Sequence, residues 1–375
     1  MSTLKVTNIE SPSGGGVNAK ITDINGGQLG NRNLIINGAM NIAQRGTSST
    51  TNGYGSVDRF FVQWDGGTTT HTQTAITSGS PYDEGFRNVL RLTNTATATG
   101  AGNHRNPFQY IEAQNLAQSG WNYTSSSSYV TLSFWVRSSV AQEFFGYLRT
   151  FDGTEQAYSF SIGTLAANTW TKVTKTIPGN SNITINDDAG TGLQVNISPF
   201  WGTDFTDSGN TLESWGAFSS GSRTPDYTNT WANTTDATFD ITGLQLEVGD
   251  VATAFEHRSY GDELQRCERY FTRMPLGDND IQFNFARFSA SSGAAYYPVH
   301  LPTTMRAAPT FTLQGTMQSG SGYTGAVQLS NNGSSNDSTV HVALLRTSSG
   351  SFSANSITFA VGDSSDCAWD FSSEL

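Results

Sequence analysis

One pattern narrows the fold more than any other. Across residues 129–137, Val130, Leu132, Phe134 and Val136 stand in one phase while Thr131, Ser133 and Trp135 stand in the other. A period of two is what a strand shows when one of its faces lies on a core, and a helix cannot use it. The same period recurs over 170–177 and at Leu193, Val195 and Ile197. Further on the phase slips: Phe239 and Ile241 keep one phase, whereas Leu244, Leu246 and Val248 keep the other, with Thr242 and Gly243 at the switch. A one-residue slip at a glycine predicts a β-bulge, which keeps all of these apolar side chains on the core face. Many strands at short spacing, parted by Gly, Ser and Asn turns, predict a mainly β protein with a jelly-roll or β-sandwich domain over 32–258.

A short helix follows, assigned to 259–274. Ser259 and Asp262 make a capping-box pattern, with Tyr260, Leu264, Cys267 and Phe271 as an apolar stripe. Asp262 and Arg266 form a favourable i, i+4 pair, and Pro275 and Gly277 stop the helix. So short a helix must pack its stripe on something, and a domain boundary falls here. A smaller C-terminal β domain then occupies 275–375, with alternation at Ile281, Phe283 and Phe285, at Val340, Val342 and Leu344, and at Ile357, Phe359 and Val361. Between them, 315–338 is nearly all small and polar and reads as a long loop or weak hairpin. The thin core of this domain hints that oligomerisation buries more surface. Residues 1–31, with Gly14, Gly15, Gly16, Gly26, Gly27 and Gly30, read either as a disordered terminus or as an arm that orders on docking to a partner.

Composition limits the function classes. Only 14% of residues are charged, and 20 Lys and Arg face 31 Asp and Glu for a net charge of −11. With no basic stripe, nucleic-acid binding is disfavoured. No apolar run approaches the roughly 20 residues of a membrane helix, so membrane insertion is not expected. The start of the chain lacks the apolar segment of a signal peptide, which predicts assembly in a cytoplasm. Cys267 and Cys367, far apart in sequence, fit that compartment as free thiols.

Signs of catalysis are weak. None of His71, His104, His257, His300 and His341 has a partner at metal-ligand spacing, and neither a nucleophile elbow nor a P-loop is present. Asp187 and Asp188 could hold calcium, although acidic pairs in loops are usually just solvated. Asp204, Asp207 and Glu213 could supply paired carboxylates, although turn carboxylates are the plainer reading. No catalytic residue, metal or cofactor is therefore expected. The most suggestive feature is aromatic: Trp201, Trp215, Tyr227 and Trp231 sit among Gly, Ser and Asp in one long segment. Such rings could stack on sugar faces while neighbouring amides and carboxylates take the hydroxyls. The competing reading is that they cap the sandwich or fill a subunit interface.

Several phrases resemble bacteriophage tail-fibre and virion appendage proteins. NLIINGAMNIAQRG (33–46) and VDRF (57–60) resemble the opening of a sandwich domain in that family. FDITGLQLEVG (239–249) with FEHR (255–258) resembles the domain's closing strand, and GDELQRCERYF (261–271) the short helix after it. LPTTMRAAPT (301–310) resembles a phrase of C-terminal fibre domains, and residues 1–16 the leader of cyanophage structural proteins. A weaker resemblance, carried by residues 132–136, 170–173 and 239–247, is to jelly-roll carbohydrate-binding modules, and it includes no sugar-contact motif. These resemblances imply a non-enzymatic virion protein whose arm docks on other virion proteins. They further imply a homotrimer and a surface for host attachment, to cell-surface glycan. A head decoration or tail-assembly protein with a purely structural role is the alternative. A depolymerase tailspike is disfavoured, because neither the length nor the short repeats of a β-helix are present.

Overall fold

The computed structural model describes residues 30–276, 278–282, 287–288, 295–315, 317–319, 327–329, 341–347, 360–363 and 367–375. Thirteen strands build the first and larger part: β1 (Ser48–Ser49), β2 (Phe61–Asp65), β3 (Thr68–Ala75), β4 (Asn88–Ala96), β5 (His104–Glu112), β6 (Tyr129–Ser138), β7 (Gln142–Thr150), β8 (Gln156–Leu165), β9 (Thr171–Pro178), β10 (Thr191–Ser198), β11 (Phe200–Trp201), β12 (Trp215–Ala217) and β13 (Ala237–Val248). One sheet runs β1-β3-β4-β13-β6-β9, and the other β11-β5-β10-β7-β8-β12 with β2 also on β5. Every strand pairing is antiparallel. The two sheets close face to face as the expected β-sandwich.

Its core follows the strand phases. Val130, Leu132, Phe134 and Val136 of β6 are fully buried, and they share one cluster with Phe144 and Leu148 of β7 and Val195 and Ile197 of β10. The bulge falls where the phase slip places it: register with β6 shifts between Thr242 and Gln245, and Gly243 has φ 64°. Phe239, Ile241, Leu244 and Leu246 all reach the core as a result. A side chain at Gly243 would also start 2.7 Å from the Phe86 ring, so both the backbone and the packing call for glycine. The other phase of β6 is not solvent-facing. Thr131 and Ser133 are buried, and Trp135 packs with Phe86 and Val89 under the short helix α1 (Ser80–Asp83).

Residues 33–60 enter the sandwich as irregular chain, which must find hydrogen-bond partners away from water. Asparagine and glutamine side chains supply them. Asn33 Oδ1 accepts from the Leu246 amide, and Asn37 Nδ2 donates to the carbonyls of Ile42 and Asp58. Gln109 both accepts from and donates to the Ile36 backbone. Asp58 is buried here and accepts from the Gln44 amide at 3.0 Å and from Gln44 Nε2 at 2.7 Å. Burial pushes its carboxyl up to about 6, against the opposing pull of Arg45 and Gln44. The folded chain thus holds this proton to higher pH than the unfolded chain does. The contribution is fully present below the ordinary aspartate range and is lost as pH rises through about 6. Urea denaturation should show the stability of wild type relative to Asp58→Asn falling by about 2 kcal/mol between roughly pH 4 and pH 7. Parallel pH profiles would show that Asp58 does not titrate this way.

The later elements depart from expectation in instructive ways. Helix α2 (Ala113–Ala117) lies within the sandwich sequence, and α3 runs Tyr260–Glu268. Helix α3 therefore ends before 274, and neither Pro275 nor Gly277 stops it. Phe271 belongs instead to β14 (Phe271–Pro275), and Tyr260 is 65% exposed, so only Leu264 and Cys267 of the stripe pack within α3. The Asp262 amide donates to Ser259 Oγ, while the Asp262 carboxylate takes the serine hydroxyl rather than a backbone amide. Arg266 donates to Asn31 Oδ1. Cys267 and Cys367 are free and buried.

The remaining strands are β15 (Asp278–Gln282), β16 (Arg287–Phe288), β17 (Ala295–His300), β18 (Thr310–Gln314), β19 (Met317–Ser319), β20 (Val327–Leu329), β21 (Val342–Thr347), β22 (Ala360–Asp363) and β23 (Ala368–Ser372). They form the sheets β14-β23-β18, β15-β22-β19 and β16-β17-β21-β20. Strands β19 and β20 thus lie inside the segment read as a long loop or weak hairpin, and they pair with β22 and β21 respectively. Phe283, Phe285, Val340, Ile357, Phe359 and the segment 1–29 lie outside the described residues. Among the described residues no helix is long and apolar enough to cross a membrane.

Candidate functional site

The four rings singled out in the sequence do not form an exposed platform. Trp231 is fully buried in the sandwich core, where its Nε1 donates to the Thr238 carbonyl at 3.1 Å. Trp201 is 2% exposed and stacks on His104 with ring centroids 5.0 Å apart. Tyr227 is half-buried, and its hydroxyl lies 3.2 Å from the carbonyls of both Phe145 and Ser198. Trp215 sits on edge strand β12 opposite Tyr158 of β8, and its Nε1 donates to the Pro178 carbonyl at 2.7 Å. The reading that these rings cap the sandwich describes Trp201, Tyr227 and Trp231. Large rings in a long segment are drawn to whatever apolar surface is near, and here that surface belongs to their own fold.

What the segment 199–231 does instead is dress the outer face of the second sheet. Register places Tyr110 of β5 beside Gln194 of β10, then Arg149 of β7, then Ala157 of β8. The next row reads Phe61, Phe108, Asn196, Tyr147 and Ser159. These residues alternate with core residues such as Ile111, Val195 and Leu148, so they point away from the sandwich interior. Ring contacts run across the face: Phe61 to Phe108 at 5.0 Å, Phe108 to Tyr110 at 5.0 Å, and Tyr110 to Phe151 at 5.5 Å. Arg149 continues the row, its guanidinium carbon 4.6 Å from the Phe151 ring and 3.7 Å from that of Phe218. Arg223 follows, 4.4 Å from Trp201, 4.7 Å from Phe205 and 5.9 Å from Phe218.

The segment is pinned in place by backbone contacts. The Arg223 amide donates to the Phe205 carbonyl at 2.9 Å, and the Phe218 amide to Glu155 O at 2.8 Å. Ser159 Oγ donates to the Arg223 carbonyl at 2.5 Å. Beside Arg223 lies a cleft of about 370 Å³, lined by Ser159, Asn210, Thr211, Ser214, Trp215 and Ser222 among others. Of the four expected rings, Trp215 is the one that borders it. Tyr110, Phe151, Phe218, Arg149 and Arg223 are each half-buried. Beneath them Asn196 is fully buried and Gln194 is 4% exposed. Asn196 Nδ2, Gln194 Oε1, Asn106 Oδ1, Trp201 Nε1 and Arg223 Nε find no hydrogen-bond partner among the described residues.

Electrostatics separates the two arginines. Arg149 is paired: its Nε and Nη2 both donate to Glu155 Oε2, at 3.0 and 2.6 Å. Among the described residues Arg223 has no such carboxylate, and burial holds its guanidinium below the ordinary arginine range. Burial likewise pushes the Tyr147 hydroxyl up to about 12 and lowers His104. Four of the five acidic residues considered earlier are engaged elsewhere. Glu213 pairs with Lys175 at 2.7 Å, Asp207 caps the Gly209 amide, Asp188 caps the Gly190 amide, and Asp187 accepts from Gln118. Among the described residues no group of three or more His, Cys, Asp and Glu is placed to hold a metal ion.

No family model matches the chain, and no curated protein sequence matches it. Among solved structures, it is similar to the enzymatically active domain of tailspike protein 4 of bacteriophage CBA120, at 12% identity and a TM-score of 0.30, over 58% of this chain and 21% of that one. It is similar to the xylan-binding domain of Paenibacillus barcinonensis, at 12% identity and a TM-score of 0.26, over 55% of this chain and 94% of that one. A family 11 carbohydrate-binding module from Clostridium thermocellum gives 11% identity and a TM-score of 0.26, over 56% of this chain and 98% of that one. The chain thus spans about a fifth of the tailspike and nearly all of the two modules, and likeness at this level assigns it to no family.

Proposed function

We propose that the sandwich is a non-catalytic glycan-binding module carried on a bacteriophage virion appendage. The observation that carries the glycan part is the outer face of the second sheet. There, the half-buried rings Tyr110, Phe151 and Phe218 alternate with guanidinium groups above an amide floor, next to a cleft rich in hydroxyls. Flat rings cover the apolar faces of a sugar, and amides and guanidinium groups take its hydroxyls, so the chemistry is complementary to a glycan chain. Pinning by the backbone holds these rings in place before a ligand arrives, which lowers the entropy lost on binding. The virion part is supported by the ordered fibre-like phrases of the sequence. The trimer, and docking through residues 1–31, belong to the same reading.

Glycan-array screening followed by titration calorimetry tests it. Tyr110→Ala and Phe218→Ala, each verified as folded, should weaken binding about tenfold or more, since aromatic anchors dominate such interfaces. Unchanged affinity in both variants would move the site off this face. Failure of the wild-type chain to bind any glycan would favour the purely structural role, with the face serving as a contact between virion proteins.

A further inference from the structure

The charge balance of the same face says which glycans it selects. Among the described residues Arg223 has no carboxylate partner, in a chain whose net charge is −11. An unpaired guanidinium is an unusual thing to hold half-buried between three aromatic rings, because desolvation penalises it. Its neighbour Arg149 shows what the alternative looks like, being neutralised by Glu155. The charge left without a counterion on this face is therefore positive, which favours a ligand group rich in negative charge.

We infer that this face selects glycans bearing a carboxylate, of the uronic-acid class, and that Arg223 is the residue that reads the charge. The inference rests on the glycan-binding reading above and narrows it. The planar fork of a guanidinium matches a carboxylate in two parallel hydrogen bonds, and the rings on its flank hold that plane in one orientation. A sulfate ester carries similar charge in a different shape and is the comparison that matters.

The test is calorimetry with a panel of uronate-containing oligosaccharides, each beside its carboxyl-reduced neutral counterpart, and with sulfated neutral oligosaccharides. The acidic member of a pair should bind at least about tenfold tighter than its neutral partner, and the gap should narrow as salt is raised. Arg223→Gln should bring the affinities for the acidic and neutral members of a pair close to equal, whatever it costs in binding to both, and Arg223→Lys should restore the gap only in part. Equal wild-type binding of acidic and neutral partners overturns the inference and leaves glycan binding standing. Binding of sulfated sugars as tight as uronates overturns the carboxylate assignment. Binding of neither acidic nor neutral sugars overturns both readings. The salt dependence of the wild-type gap needs no variant, so it decides the matter even where Arg223→Gln fails to fold.

Discussion

Trp231→Ala is expected to destabilise the sandwich by about 3–5 kcal/mol, with no loss of glycan affinity per folded molecule. Trp231 is fully buried between the sheets, 6.4 Å from the Phe239 ring. Its backbone amide donates to Gln142 Oε1 at 2.9 Å, so the residue ties the end of the long segment to β7. Truncation removes the indole, leaves a cavity, and takes away one of the two donors to the Thr238 carbonyl, leaving the Ser139 amide at 3.0 Å. Trp231→Phe should cost less, about 1–2 kcal/mol, because most apolar contact survives. Trp215→Ala should fall between these limits, since that ring is only half-buried. Urea denaturation gives the stabilities, and calorimetry on the folded fraction gives the affinities. A Trp231→Ala chain of near wild-type stability that had lost glycan binding would return the residue to the site and dismiss the packing assignment.

The contrast between Trp231 and Phe218 shows where sequence reading stops. Both are large rings in one Gly- and Ser-rich segment, and nothing local distinguishes the ring that plugs the core from the one that meets solvent. That depends on which strands lie beneath the segment, and strand adjacency is not a local property. The strands themselves were legible because alternation is local. Val130 to Val136 lie on the core as their phase requires, and the Thr242–Gly243 slip became the bulge. Helix α3 was half legible. Its cap at Ser259 holds, but Phe271 fits both the helical stripe and a strand, and it pairs with Ser372 of β23, itself opposite Thr310 of β18, as part of β14.

The outer face proposed for glycan went unread for a related reason. Arg149 and Tyr147 share the polar phase of β7, a signal visible in the sequence, but a half-exposed strand face carries such residues as a matter of course. Only pairing brings Tyr110, Gln194 and Arg149 into a row. Phe218 and Arg223 arrive over that row from the loop, and no periodicity announces a loop's path.

Arg59 should be among the most sensitive single positions in the chain. It is 1% exposed, adopts φ 71°, and places its guanidinium 3.4 Å from the Tyr270 ring centroid. One arm pairs with Glu374, and the other donates to the Tyr110 carbonyl at 2.9 Å. Burial alone would weaken its charge, but Glu374 and Tyr270 more than offset this and hold the guanidinium firmly protonated. The residue therefore joins the sandwich, the segment after α3 and the strand that carries Tyr110. Arg59→Met should cost about 3–5 kcal/mol, because the Glu374 carboxylate, also buried, keeps only its longer contact to Arg45 at 3.3 Å. Glu374→Gln should cost somewhat less, since an amide can still accept from the guanidinium. The double variant Arg59→Met with Glu374→Leu should be clearly more stable than the sum of the single losses, because the buried carboxylate leaves together with its closest partner and only the more exposed Arg45 loses a contact. Hydrogen exchange on Arg59→Met should show protection lost first in β14 and β23, with the sandwich strands opening later. Strictly additive losses in the double-variant cycle would mean that the pair is not coupled, and that the tail is held by Arg269–Glu112 and Arg306 instead.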